Sequence, residues 1–343
     1  MQQTSFFSRD PFGPCVTTDL RRVELSSCSL MKVPRNGLDI HSAHALFNQA
    51  KIAVIAWYEN TYGEHFNPFS LGDKLQEVRE QFFKTKEFSL GLKTLGIFEI
   101  VMAHPQYLNL PWWSEVGLAE RSWQYDGTSL RIEMTERHSV ETQLVRRGID
   151  RGIKPIVITG IVRTLPDGDS PTGYIVCGIR GGSHFRNVIM LPGGALKDTD
   201  ELSAGESLVR WFIDTELKEE LGLEQKHIVR QKLHSRHDDH LLDGIAAVYT
   251  FDCQTNLTHE QIRALWAANR HPDKQEHQDL LMVRADTDSL RNFVASTYRG
   301  NLLNNPLRPD SDRFLSHHGA LPLALEAGIS LAELRSLCAP MPV

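Results

Sequence analysis

The chain has 343 residues, 41% of them hydrophobic and 23% charged, which places it among globular proteins and excludes wholesale disorder. Its 37 Lys and Arg against 43 Asp and Glu give a formal charge of −6, so no nucleic acid partner is expected. Without a membrane-length apolar run or a secretory start, and with five scattered cysteines (Cys15, Cys28, Cys177, Cys253, Cys338), the expectation is a soluble, reduced, cytoplasmic protein with no membrane contact.

In chain order, the first 35 or so residues are rich in Ser, Thr, Pro and Arg and show weak periodicity. Ser42 to Glu59 has apolar residues at helical spacing behind a Ser cap, and Leu71 to Phe88 repeats the helical pattern with opposite charges interleaved. LGIFEIVMA reads equally as helix or strand. The stretch YLNLPWWSEVGLAERSWQYDG is aromatic and turn-rich, and TSLRIEMTE alternates like a strand. Trp112, Trp113, Trp123 and Tyr125 fit a domain core or interface better than a stacking platform for a base.

The texture changes between Arg147 and Gly152. KPIVITGIVRTL and GYIVCGIRGG read as a hairpin from Ile156 to Arg180, turning at Pro166-Asp167-Gly168-Asp169. Cys177 and Cys253 sit in apolar runs as small core residues. NVIMLPGGAL is a short strand breaking at Pro192-Gly193-Gly194. SAGESLVRWFIDTELKEELGL is one amphipathic helix stopping near Gly222. Strand (DGIAAVYTFDC), helix (THEQIRALWAANR), strand (QDLLMVRAD) and helix (DSLRNFVASTY) come next. That alternation from about 152 to 298 predicts a layered α/β domain, closed by one or two helices.

Chemistry concentrates in TELKEELGL. Glu216, Glu219 and Glu220 are spaced i, i+3, i+4, which puts three carboxylates within roughly a 100° sector of one helix face. Projection places Val209, Phe212, Ile213 and Leu217 in or beside that sector, with Trp211, Asp214 and Lys218 away from it. The glutamates therefore border the buried stripe, where their repulsion calls for a cation, and a hard divalent ion with oxygen ligands, Mg²⁺ above all, fits best. The plain alternative is a solvated acidic face.

Residues Gly193 to Leu223, GGALKDTDELSAGESLVRWFIDTELKEELGL, resemble the Nudix box. That pattern is Gly, five residues, Glu, seven residues, then Arg-Glu-U-x-Glu-Glu-x-Gly-U, with U a bulky aliphatic. Glu216, Leu217, Glu219, Glu220, Gly222 and Leu223 occupy its second half, and the preceding strand pair stands where a Nudix fold has one. Three departures are visible. Eleven residues, not five, separate Gly194 from Glu206; Glu206 to Thr215 is one residue too long, which calls for a one-residue helix bulge or a shifted start; and Thr215 stands where the family has Arg. Thr cannot make the charge-assisted fork by which that Arg orients a catalytic glutamate.

The resemblance implies an α/β/α sandwich with a mixed sheet over 151–300. An N-terminal α+β extension (1–150) would shape the pocket, cap the site or build a dimer interface, and a helical segment (301–343) would complete the chain. It also implies hydrolysis of the pyrophosphate bond in a nucleoside diphosphate linked to another group, of ADP-ribose or nucleotide-sugar type. The cofactor would be Mg²⁺, with Mn²⁺ as an alternative, and a homodimer is left open. Carried over by residue, Glu216, Glu219 and Glu220 are metal ligands, with Glu206 a fourth candidate and the backbone at Gly193 and Gly194 near metal and substrate. Glu219 and Glu220 are then catalytic. Glu276, in HPDKQEHQDLLMV with His277 beside it, is the candidate general base, and Arg180 at a strand end is placed to reach a phosphate or base. Against these stand a nucleotide-binding or regulatory module of the same fold without turnover, and the solvated acidic helix.

His234, His237 and His240 in HSRHDDH are spaced by three, which on a helix makes a transition-metal site. The segment reads better as a polar loop or strand start. The pair His317-His318 reads as a loop, and Arg146, Arg147, Arg151 and Lys154 as a solvated basic boundary.

Overall fold

The computed structural model describes residues 17–35, 40–66, 77–78, 80–81, 116–138, 154–181, 187–199, 202–239, 246–298 and 313–337. The N-terminal part supplies β1 (Thr17–Asp19), β2 (Cys28–Lys32), α1 (Ile40–Tyr62), β3 (Val116–Tyr125) and β4 (Leu130–His138). Then come β5 (Lys154–Arg163), β6 (Tyr174–Arg180), β7 (Val188–Met190) and β8 (Gly193–Ala195). The glutamate-rich helix runs as α2 (Gly205–Phe212), a π-helical turn (Ile213–Leu217) and α3 (Lys218–Leu221). Next are β9 (Ile228–Asp239), β10 (Ala246–Thr255), α4 (His259–Ala268), a 3₁₀ turn (Pro272–Glu276), β11 (His277–Arg284) and α5 (Thr287–Thr297). β12 (Phe314–Leu315), α6 (His317–Glu326) and α7 (Leu331–Leu337) close the chain.

The strands form one mixed sheet of twelve, in the order β1-β9-β10-β5-β3-β4-β2, with β6, β7, β8, β11 and β12 branching from it. β5 is its hub. Along one edge it runs parallel to β10, from Ile156 beside Ala247 to Arg163 beside Gln254. The opposite edge is shared in turn by β3 at Lys154 and Pro155, β8 at Val157 to Thr159, and β6 at Val162 and Arg163. The expected hairpin from Ile156 to Arg180 therefore pairs through just two residues of β5. The rest of β6 pairs with β7 and β11.

Strand alternation sends side chains to two cores. Ile156, Ile158 and Val162 of β5 face α2, the π turn and α3, where Leu208, Val209, Phe212, Ile213, Leu217 and Leu221 are buried. Ile161, Ile175, Cys177 and Ile179 face α5, α6 and α7. Helices thus cover both faces of a mixed sheet, the α/β sandwich expected from the alternation. Cys177 and Cys253 are fully buried, and burial pushes the Cys177 thiol up to about 12. Trp211, expected away from the buried stripe, is 8% exposed, because this helix is covered on more than one side. Among the described residues no helix is long and apolar enough to cross a membrane.

Several elements differ from expectation. Val116–Tyr125, read as turn-rich, is a ten-residue strand, because aromatic residues pack as well on a pleated surface as in a turn. α1 starts ahead of Ser42, which is therefore no cap. HSRHDDH, expected as a polar loop or strand start, is through Asp239 the end of β9, with His234, Ser235, Arg236 and His237 fully buried. His317 and His318 open α6 behind a Ser316 cap, both buried, and the Tyr298 hydroxyl lies 2.7 Å from His317 Nδ1. Residues 77–78 and 80–81 are helical as expected. LGIFEIVMA, Trp112, Trp113, Arg146, Arg147, Arg151 and His240 lie outside the described residues.

Charge burial explains the polar strand. Arg236 gives Glu120 two hydrogen bonds of 2.9 and 2.6 Å, and a third of 2.9 Å goes to Asp238, which also takes Lys154 at 3.0 Å. The Tyr249 hydroxyl donates to Glu120 at 2.6 Å, and burial holds its pKa well above the usual range. The Trp123 ring lies 4.3 Å from the guanidinium, so this aromatic belongs to the core. Because Glu120 is on β3 and Arg236 on β9, the network ties the N-terminal strands to the rest of the sheet.

On the opposite face Glu326, at the end of α6, accepts from His234 at 2.9 Å and from Arg163 at 2.5 Å. Arg163 also reaches Asp252 at 2.7 Å. Burial alone would raise the Glu326 carboxyl. The His234 hydrogen bond and the charges of Arg163 and His234 outweigh that and bring it from 4.5 to about 2.

Both networks can be tested by removing one partner. Glu120→Ala leaves Arg236 charged and buried without its main partner, and costs about 3–5 kcal/mol, read as a lower urea midpoint at unchanged slope. Because the folded-state pKa of Glu326 is depressed, its contribution is complete above about 4.5 and is lost as pH falls toward about 2. Melting temperature against pH in that window should therefore fall less steeply in Glu326→Gln than in the wild type.

Candidate functional site

The glutamates are carried by one helix whose ladder changes step. The π turn at Ile213–Leu217 inserts the extra residue between Glu206 and Thr215, and Lys218 N–H reaches back five residues to the Ile213 carbonyl. It is the one-residue bulge that the lengthened motif called for. Thr215 sits inside this turn and donates its hydroxyl to the Trp211 carbonyl at 2.5 Å. α3 then ends at Gly222, in the left-handed conformation with φ of 75°.

That helix lies over β8. Gly193 has φ of 148°, and Gly194 supports the Glu216 carboxylate so closely that a Cβ there would stand 2.4 Å from Oε2. Glu220 Oε2 accepts the Gly193 N–H at 3.0 Å. Two of the three glutamates thus converge on the Gly193-Gly194 backbone. Glu216 and Glu220 are 8% and 3% exposed, so they are not part of a solvated face. Glu219 is more open, with 23% of its side chain exposed and His271 Nε2 3.9 Å away.

The loop before β11 forms the far wall. Asn269 donates to the Lys218 and Glu219 carbonyls at 3.2 and 2.8 Å, which fastens the loop to the end of α3. Glu276 ends the 3₁₀ turn, where its carboxylate pairs with Arg180 and its carbonyl accepts the Gly181 N–H at 3.0 Å. His277 opens β11 directly across from Arg180 and places Nε2 3.3 Å from Glu220 Oε2.

Gly193, Gly194, Glu216, Glu219 and Glu220 are therefore together, with Arg180 and Glu276 paired to each other on the adjoining β6–β11 edge. Glu206 is not with them. It is exposed in the first turn of α2, ten residues and roughly 15 Å along the helix from Glu216, near Cys28. His234 and His237, buried in β9, belong to the sheet and not to this group. Among the described residues no three His, Cys, Asp or Glu side chains are gathered closely enough to hold a metal ion as they stand. Nothing in the sequence pattern singles out His271, and His277 stands there only as the neighbour of Glu276. His277 is brought there by strand pairing with Arg180, and His271 by the Asn269 tie to the end of α3, neither of which a local pattern encodes.

No family model matches the chain, and no curated protein does. Among solved structures, a bifunctional NMN adenylyltransferase/ADP ribose pyrophosphatase from Francisella tularensis aligns over 87% of this chain and 90% of its own, with 11% identity and a TM-score of 0.27. The same protein from that organism, complexed with AMP and Mn ion, gives the same coverage, identity and score. A likeness at that score carries no argument for fold or function.

Proposed function

We propose that the chain is a divalent-cation-dependent hydrolase of Nudix type, cleaving the pyrophosphate bond of a nucleoside diphosphate linked to another group, with ADP-ribose or a nucleotide sugar at the centre of the substrate class. One observation carries this reading. A single helix delivers two buried carboxylates, Glu216 and Glu220, to the backbone of Gly193 and Gly194, and leaves Glu219 open beside them.

The residues fit a hard cation. Like charges held in a weakly polar environment repel strongly. Carboxylate oxygens are the donors that Mg²⁺ and Mn²⁺ take, and Glu216, Glu219 and Glu220 would hold the ion. When bound, it supplies neutralisation of the pyrophosphate and a more acidic water.

The remaining roles belong to the chain. The Gly193 N–H fixes Glu220. Glu219, the most exposed of the three carboxylates, is the one with room to accept a proton from the attacking water. Arg180 meets a phosphate oxygen, and Glu276 holds Arg180, since its carboxylate is already committed to that guanidinium. A second reading, a nucleotide-binding module without turnover, is favoured by Thr215, whose hydroxyl is bound to Trp211 and offers no fork to a glutamate.

Release of phosphate or nucleotide from a panel of pyrophosphate-linked nucleotides, with Mg²⁺, with Mn²⁺ and with chelator, decides between them. Glu219→Gln and Glu220→Gln should each lower metal-dependent turnover by roughly 100-fold or more. No release from any compound, with a nucleotide still raising the melting temperature, would leave the binding module. Glu276→Gln should raise KM and largely keep kcat; a collapse of kcat would return Glu276 to the role of general base.

A further inference from the structure

The helix lacks the arginine that the Nudix box carries before its first paired glutamate, and Thr215 in its place is bound to its own helix. Some other group must keep Glu220 in one orientation under the glycine corner. We propose that His277 is this positioning residue, holding Glu220 from the facing strand as the missing arginine would from the helix. The proposal rests on the hydrolase reading of the same glutamates.

Three observations carry it. His277 Nε2 stands 3.3 Å from Glu220 Oε2, with the two side chains only 2% and 4% exposed. The same oxygen takes the Gly193 N–H at 3.0 Å, so the backbone and the imidazole both stand at Oε2. Neither ring nitrogen of His277 has a hydrogen bond of normal geometry among the described residues, although the ring is buried. A buried polar group in that condition is costly, and such contacts tighten when a functional site closes on its ligand.

The ring is also placed by the strand opposite. It packs against Gly178 of β6, where a Cβ would come within 2.2 Å of Nδ1. Gly178 has no left-handed backbone to explain it, so its hydrogen side chain makes room for the imidazole. Of the neighbouring groups, His271 stands by Glu219 and Arg180 pairs with Glu276. Among the described residues His277 is the side chain that stands by the Glu220 carboxylate.

Mn²⁺ binding to the full chain without nucleotide, followed by calorimetry and by the paramagnetic resonance of free Mn²⁺, tests the assignment. Three variants are compared with the wild type: His277→Leu, which fills the space without a donor; His277→Gln, which restores an N–H; and Gly178→Ala, which displaces the ring and alters no carboxylate. His277→Leu and Gly178→Ala should weaken Mn²⁺ binding about tenfold or more, while His277→Gln stays within about threefold of the wild type. Leu and Gln variants that both bind like the wild type, or both weaken equally, would overturn the positioning role. Should His277→Leu fail to fold, as its melting curve would show, Gly178→Ala decides by the same criterion, and wild-type affinity there overturns the proposal. A wild type that binds no Mn²⁺ at all is a different result, and it removes the hydrolase reading itself.

Discussion

Everything around the glycine corner depends on how β5 divides one edge among three partners. β3 takes its first two residues, β8 the middle three, and β6 the last two. A strand fully paired along that edge with β6, as a plain hairpin would be, has no room for β8. Because β8 is inserted there, Gly193 and Gly194 are held by the Thr159 and Ile158 backbone at the level where the helix crosses. The glutamates then meet a main chain with no side chains in the way. Displaced from that edge, β6 pairs with β11 and brings Arg180, Glu276 and His277 to the same place. One shared edge thus explains both walls of the candidate site.

The glutamate cluster was legible in the sequence because helical spacing is a local property, and so were the helix stop at Gly222 and most strands of the α/β part. The surroundings of the cluster were not. The end of β9, His234 to Asp239, reads as a polar loop or strand start because its charges are neutralised by Glu120, Glu326 and Lys154, residues on three other elements and 84 to 116 positions away. Polar residues enter a sheet interior when such partners exist, and a single strand does not show its partners. His277 stayed in the shadow of Glu276 for the same reason: its meaning lies in Gly178 and Glu220, one on the neighbouring strand and one on a helix.

The two buried ion networks have different architectural work. The one centred on Arg236 joins β3 to β9 and β10, so the N-terminal strands are held by charge as well as by backbone pairing. The one centred on Glu326 fastens the end of α6 to β5, β9 and β10. Each leans on a guanidinium, whose planar donors satisfy several oxygens at once and make burial tolerable. Neither network borders the glycine corner. Near the glutamates a backbone N–H and an imidazole stand by Glu220 instead of a guanidinium.

The π turn and the threonine inside it are best understood as one local feature. An added residue inside an α-helix rotates the turns before it by about 100° relative to the turns after it, which would carry Leu208, Val209 and Phe212 off the sheet. The π turn absorbs the residue instead, so both the apolar stripe ahead of it and the glutamates behind it keep their faces. Such a turn disturbs the regular hydrogen-bond ladder, and a short hydroxyl at Thr215 can answer it by bonding back to Trp211. A long guanidinium at that position has no such use, since its donors are spread for a carboxylate and not for a carbonyl one turn away. Accommodating the π turn therefore favours threonine at position 215, whose hydroxyl is committed to its own helix.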